Sequence, residues 1–140
     1  MRTMQLAHLI KSEDLNHHGT LFAGRMAEWF VEAAFIAASD FFGNPEGLVC
    51  IKLHGLKFSQ PAKKGQTIII NPQIAEIGTT SITVYGKVVE SRQDTILVEG
   101  FATFVCVDSS GKKIPHGLTL PEPFTEEDRL LRDTARKLRT

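Results

Sequence analysis

The sequence predicts one α+β domain in which a long apolar helix is wrapped by a curved antiparallel sheet of about five strands. Three observations carry that reading. A proline-free segment rich in Ala and Met lies early in the chain, four β-rich segments follow at short intervals, and a charged helical segment closes it. With 140 residues, 42% of them hydrophobic, the chain is long enough to bury a core of its own.

Residues Arg2 to Ile10 suit a first strand, and Lys11 to Gly19 form a polar loop. Leu21 to Ala38, LFAGRMAEWFVEAAFIAA, then reads as helix. Met26, Phe30, Ala33, Ala34 and Ala37 recur at helical spacing and define its apolar face. The run from Phe41 to Pro45, FFGNP, stops it. Leu48–Phe58, Thr67–Ile77, Ser81–Ser91 and Thr95–Val107 are dense in Val, Ile, Thr and Phe and read as strands. The connections Gln60 to Gly65, Gly78 to Thr80, Arg92 to Asp94 and Asp108 to Gly111 carry turn residues. Their shortness predicts an antiparallel meander. After an irregular stretch from Pro115 to Phe124, Thr125 caps a helix with Glu126, Glu127 and Asp128 in its first turn, running to about Leu138. The expected organisation is therefore a main domain over 1–124 and a charged C-terminal helix over 125–140. So hydrophobic a central helix must be covered, and a sheet curved around it is the economical solution. That is the hotdog arrangement. Its open edges invite pairing with a second copy.

Lys plus Arg and Asp plus Glu both number 16, so no net field favours nucleic acid or an anionic membrane. The opening MRTMQLAHLIKSEDL is charged every few residues and has no apolar stretch of the kind that directs export. No apolar run approaches the roughly 18 residues of a membrane span. A cytoplasmic location is expected. Cys50 and Cys106 match no zinc or redox spacing, sit in apolar stretches, and read as two buried, reduced thiols. No metal-ligand cluster exists in the sequence, and no cofactor is implied.

The most informative stretch runs from Asn16 to Gly24, NHHGTLFAG, directly into the helix. Backbone N–H groups of Gly19, Ala23 and Gly24 at a helix start suit an anion or a polarised carbonyl oxygen. Asn16, His17, His18 and Thr20 stand beside them as polar groups able to orient water or substrate. The same glycines also suit plain close packing. Glu28 and Glu32 lie one turn apart on one helix face, either as a solvated face paired with Arg25 or as a general base or nucleophile near the loop. His54 precedes Gly55 inside an apolar strand, where glycine marks a bulge that re-aims the chain. It is open to a structural or a catalytic role. His116 lies in the irregular tail without an assigned role.

Taken together, these motifs resemble the hotdog-fold acyl-CoA thioesterases over roughly residues 5 to 117. The carrying residues are Asn16 to Gly24 with Glu28-Trp29, Lys57 to Pro61 with Gly65, Ile77 to Ile82, and Phe101 to Asp108. The resemblance implies hydrolysis of an acyl-coenzyme A thioester by a homodimer or higher assembly, tetramer or hexamer, with sites at subunit interfaces. The loop and helix start would hold the thioester carbonyl. Thr79, Thr80 and Ser81, with the basic side chains Lys57, Lys63, Lys64 and Arg92, would line the coenzyme A channel; Lys112 and Lys113 are further basic candidates. Two positions depart from the family. Its usual helical acid, seven residues after the second loop glycine, is Val31 here, and a usual strand aspartate is replaced by His54. A second resemblance, to a hotdog fluoroacetyl-CoA thioesterase, is carried by Thr20, Glu28-Trp29 and His54. It implies that Glu28 or Glu32 attacks or deprotonates water while His54 passes a proton to the leaving thiolate. Pocket depth would be set by Trp29, Phe30 and Phe58. Two other classes compete: a hotdog dehydratase or hydratase, whose histidine motifs are absent, and a non-catalytic acyl-CoA-binding module.

Overall fold

The computed structural model describes residues 3–138. Met1, Arg2, Arg139 and Thr140 lie outside the described residues, and with them the first residue of the expected first strand and the end of the segment 125–140. The order is β1 (Leu6–Leu9), α1 (Ala23–Phe42), β2 (Leu48–Phe58), β3 (Thr67–Ile77), β4 (Ser81–Glu90), β5 (Ile96–Cys106) and α2 (Glu126–Lys137). The first strand is shorter than expected. The main helix begins two residues later than the apolar pattern suggests, because Leu21 N–H is taken by Ala62 O at 2.8 Å and Phe22 N–H by Asp14 O at 2.9 Å. It also runs four residues further, to Phe42, until Gly43 turns left-handed at φ 87° and donates its N–H to Ser39 O.

All neighbours in the sheet are antiparallel, in the order β1-β3-β4-β5-β2. Only β3, β4 and β5 form a meander. The strand β2 crosses to the far side of β5, pairing Leu48 with Cys106 and Phe58 with Val98. This corrects the sequence expectation, which had the four strands adjacent in chain order. The physical reason is the link from Ser59 to Gln66: it is long enough to cross the sheet end, where Ser59 N–H reaches Leu97 O and Gly65 N–H reaches Ile10 O.

The face of α1 anticipated from spacing is the buried one: Met26, Phe30, Ala33, Ala34 and Ala37 lie in the core. They meet Ile68, Ile70, Ile82, Val84, Val88, Ala102 and Phe104, which alternate along β3, β4 and β5 and so stand on one face. Alanines let the helix approach closely, and Phe30 fills the gap over β4. There Gly86 is required by space, since a Cβ would lie 2.4 Å from the Phe30 ring. The other face of the sheet receives α2, whose Thr125 caps the Asp128 N–H and whose Ala135 packs with Ala75 and Tyr85. Arg136 Nε donates to the buried Glu76 carboxylate at 2.7 Å across that contact.

The edge strand β2 presents Val49, Ile51, Leu53 and Phe58 to solvent. Cys50 is exposed there too, contrary to the expectation of two buried thiols, because it lies on the unpaired edge; Cys106 is buried.

Replacing Gly86 by Ala forces Phe30 off its seat. The expected loss is about 1–3 kcal/mol of unfolding free energy, read as a lower urea midpoint at unchanged slope.

Candidate active site

The loop before α1 is held by one side chain. Asn16 Oδ1 accepts the N–H groups of His18 at 2.8 Å and Thr20 at 3.2 Å, and its Nδ2 donates to Thr20 Oγ1 at 3.0 Å. The backbone closes the same turn, Asn16 N–H to Thr20 O at 2.7 Å, with Gly19 left-handed at φ 81°. One amide hydrogen of Asn16 remains uncommitted. Below the loop, the buried carboxylate of Asp14 accepts Lys11 N–H at 2.9 Å and faces Arg25 Nε at 3.5 Å. Arg25 also approaches Glu28 at 4.0 Å.

At the start of α1 the first intrahelical bond is Met26 N–H to Phe22 O, at 3.1 Å. The preceding N–H groups of Ala23, Gly24 and Arg25 have no carbonyl behind them, and no side chain caps them. Gly24 is needed by close approach, because a Cβ would meet the Phe22 ring at 2.6 Å. A cleft of about 260 Å³ opens between this helix start and the link after β2. Asn16, Thr20 and Ala23 form one wall, Phe58 to Ala62 another, and Met26, Ile68, Val88 and Leu97 the apolar floor. Trp29 and Phe30 do not line it; Trp29 stacks on His8, with ring centroids 4.1 Å apart.

The other expected site residues are not brought together within one chain. Glu28 and Glu32 are exposed, on the side of α1 turned away from the sheet, since Met26, Phe30 and Ala33 take the inward face. His17 and His18 are exposed as well. Val31 is half-buried against the core and supplies no titratable group. His54 is buried on the opposite face of the sheet: it pairs in register with Phe101, and its Nε2 meets Thr103 Oγ1 at 2.9 Å. Strand alternation places Ala102 and Phe104 toward α1 and Thr103 away from it, so His54 cannot reach the helix start of its own chain. The bulge expected at Gly55 is present, with φ 52° and a register shift between His54 and Lys57.

The candidate coenzyme-binding groups fall at two ends. Lys57, Lys63, Lys64 and Arg92 belong to the end of the sheet that carries the cleft, where Lys63 bridges Thr20. Thr79, Thr80 and Ser81 form the β3–β4 turn at the other end, one full strand away. They line a second pocket with His54. His116, unassigned in the sequence, clasps this turn: its Nε2–H donates to Gly78 O and its Nδ1 accepts Leu118 N–H. Among the described residues no cluster of His, Cys, Asp and Glu is placed to hold a metal ion, and no helix is long and apolar enough to cross a membrane.

A long helix wrapped by this antiparallel sheet, with an apolar cleft beside the uncapped helix start, defines a hotdog domain. A family model described as the Thioesterase superfamily matches residues 18–97. The chain belongs to that superfamily. It is 29% identical over 126 residues to an uncharacterised acyl-CoA thioester hydrolase of Bacillus subtilis, covering 87% of this chain and 71% of that protein. Among solved structures, an apo hexameric acyl-CoA thioesterase matches with TM-score 0.87 and 28% identity over 98% of this chain and 88% of the other. A hexameric hotdog-fold thioesterase of Campylobacter jejuni matches with TM-score 0.69 and 26% identity over 91% and 94%.

Burial, and then the charge of Lys52, hold the His54 imidazole below its ordinary value of 6.5. The fold therefore favours its neutral form. That contribution is complete above the unfolded value and is lost as pH falls through the folded one. In phosphate-free buffer, urea unfolding compared at about pH 7.5 and pH 5.5 is expected to show a smaller acid loss in His54→Gln than in the parent protein.

Proposed function

We propose that this chain hydrolyses an acyl-coenzyme A thioester to the free acid and coenzyme A, and that it works as a homo-oligomer. The observation that carries this reading is the fixed Asn16 amide beside uncapped N–H groups on the wall of an apolar cleft. The acyl chain enters the cleft and its carbonyl oxygen lies at the start of α1. As water adds to the carbonyl carbon, charge grows on that oxygen, and the N–H groups, with the positive end of the helix, stabilise it. Asn16 uses its spare hydrogen to hold the water or the carbonyl. Collapse of the tetrahedral intermediate then breaks the carbon–sulfur bond and releases the thiolate. The names and hexameric state of the relatives support both the substrate and the assembly.

An amide cannot accept the proton of the attacking water. Glu28 and Glu32 face away from the cleft of their own chain, so either one can serve only a cleft across an interface. The exposed apolar edge of β2 supplies a surface for such an interface. A coenzyme tail leaving the cleft has Lys57, Lys63, Lys64 and Arg92 at the same end of the sheet for its phosphates.

Release of free thiol from acyl-coenzyme A substrates tests the proposal directly. Hydration of an enoyl thioester would consume substrate without freeing thiol, and a binding module would do neither. Replacing Asn16 by Ala is expected to lower kcat about 100- to 1,000-fold, as for loss of one oxyanion donor. Glu28→Gln and Glu32→Gln, made singly, identify the base by a comparable loss in one of them. Mixing that inactive variant with Asn16→Ala subunits should restore part of the turnover, because a shared site regains one intact copy. Failure of the mixture to recover would place the base within a single chain.

A further inference from the structure

The buried carboxylate of Asp14, only 3% exposed, takes no part in the proposed hydrolysis and does not line the cleft. It lies two residues before Asn16, at the foot of the loop that carries the catalytic amide. This loop is held at three levels. Asn16 closes the tip through the N–H groups of His18 and Thr20, and Leu15 bridges Leu21 across the waist. At the foot, one residue reaches both ends. The carbonyl oxygen of Asp14 accepts the Phe22 N–H at 2.9 Å, its Oδ2 accepts the Lys11 N–H at 2.9 Å, and its Oδ1 faces Arg25 Nε at 3.5 Å.

Only one of these contacts calls for a charge. A neutral amide would accept the Lys11 N–H as well, and burying a carboxylate costs more than burying an amide unless a partner offsets it. Among the described residues, Arg25 is the one cation within ion-pair distance of Asp14. It is the third residue of α1, and its own N–H is among the uncapped donors of the helix start. Its guanidinium comes only to 4.0 Å from the exposed Glu28, so the side chain is held from the buried side. Pairing also shapes the field at the site. A lone carboxylate at this end of the helix would oppose the positive potential that the N–H groups offer to a carbonyl oxygen. With Arg25 beside it, that charge is offset and the donors stay available to substrate.

We propose that Asp14 and Arg25 form a positioning pair, a role that rests on the hydrolase reading above: their ion pair fixes the Asn16 amide relative to the N–H groups at the start of α1. Neither side chain lines the cleft, and the pair acts through the loop and the first helical turn. A purely structural role for Asp14, as the cap of the short turn Ser12–Asp14, needs the acceptor and not the charge.

Asp14→Asn separates the two roles, because it keeps an acceptor of the same shape and removes the charge. The expected result is a fall in kcat of about tenfold with KM for acyl-coenzyme A within about twofold of the parent, the signature of misplaced donors. Deuterium uptake by residues 15–25 of the intact protein, read by mass spectrometry, should quicken by about tenfold while uptake by β4 stays unchanged. Arg25→Gln leaves Asp14 buried without its partner and is expected to lower the urea midpoint; adding Asp14→Asn restores the midpoint but not kcat. The double variant should match the kcat of Asp14→Asn, as for two members of one unit. Parental turnover and uptake in Asp14→Asn, either effect without the other, or a double variant whose losses multiply overturns the pair. Should the parent protein release no thiol from any acyl-coenzyme A, the hydrolase reading falls by itself. Deuterium uptake then decides whether the charge holds the loop: faster uptake in Asp14→Asn supports it, and unchanged uptake overturns it.

Discussion

The contact between Phe30 and Gly86 sets the distance between the helix and the sheet, and the rest of the molecule inherits it. A ring on α1 occupies the space that any side chain on β4 would claim, while alanines on either side keep the backbones close. With that distance fixed, the first turn of α1 stands against the link that follows β2. Leu21 and Ala62 then bond, Thr20 bridges Lys63, and the cleft acquires its wall. The N–H groups at the helix start are held in place by the packing far behind them.

Much of this was legible before any coordinates. The helical face was readable because apolar residues recur at 3.6 and no polar residue interrupts the inward positions. The bounds of β2 and β3 were readable because Gly, Pro and Lys punctuate strands that are otherwise β-branched. The order of β2 in the sheet was not, because a link of eight residues can either turn back or cross, and local composition is the same for both. The site was legible in part. Asn16 and Thr20 were recognisable as polar groups beside a helix start, and the structure joins them by direct hydrogen bonds. The placement of His54 was hidden by parity. Which face a strand residue takes depends on the register of its neighbour, and bulges between Cys50 and Lys52 and between His54 and Lys57 change that register.

The molecule thus separates two kinds of polar chemistry by one layer of sheet. On the inner side, backbone donors at a helix terminus meet an apolar cleft. On the outer side, the buried His54 imidazole meets the Thr103 hydroxyl beside the turn that carries Thr79, Thr80 and Ser81. A sheet is well suited to this division, because alternate residues of a single strand can serve opposite faces without sharing a partner.

The two bulges in β2 have a further consequence for the newly made chain. An eleven-residue strand with apolar side chains on an unpaired edge is a template for indiscriminate cross-β growth. The bulges break that edge into short runs, and Lys52 and Lys57 add charge along it. Only a partner whose backbone carries matching irregularities can pair along the whole length. Between synthesis and assembly, the strand is guarded against strangers while remaining open to its own kind.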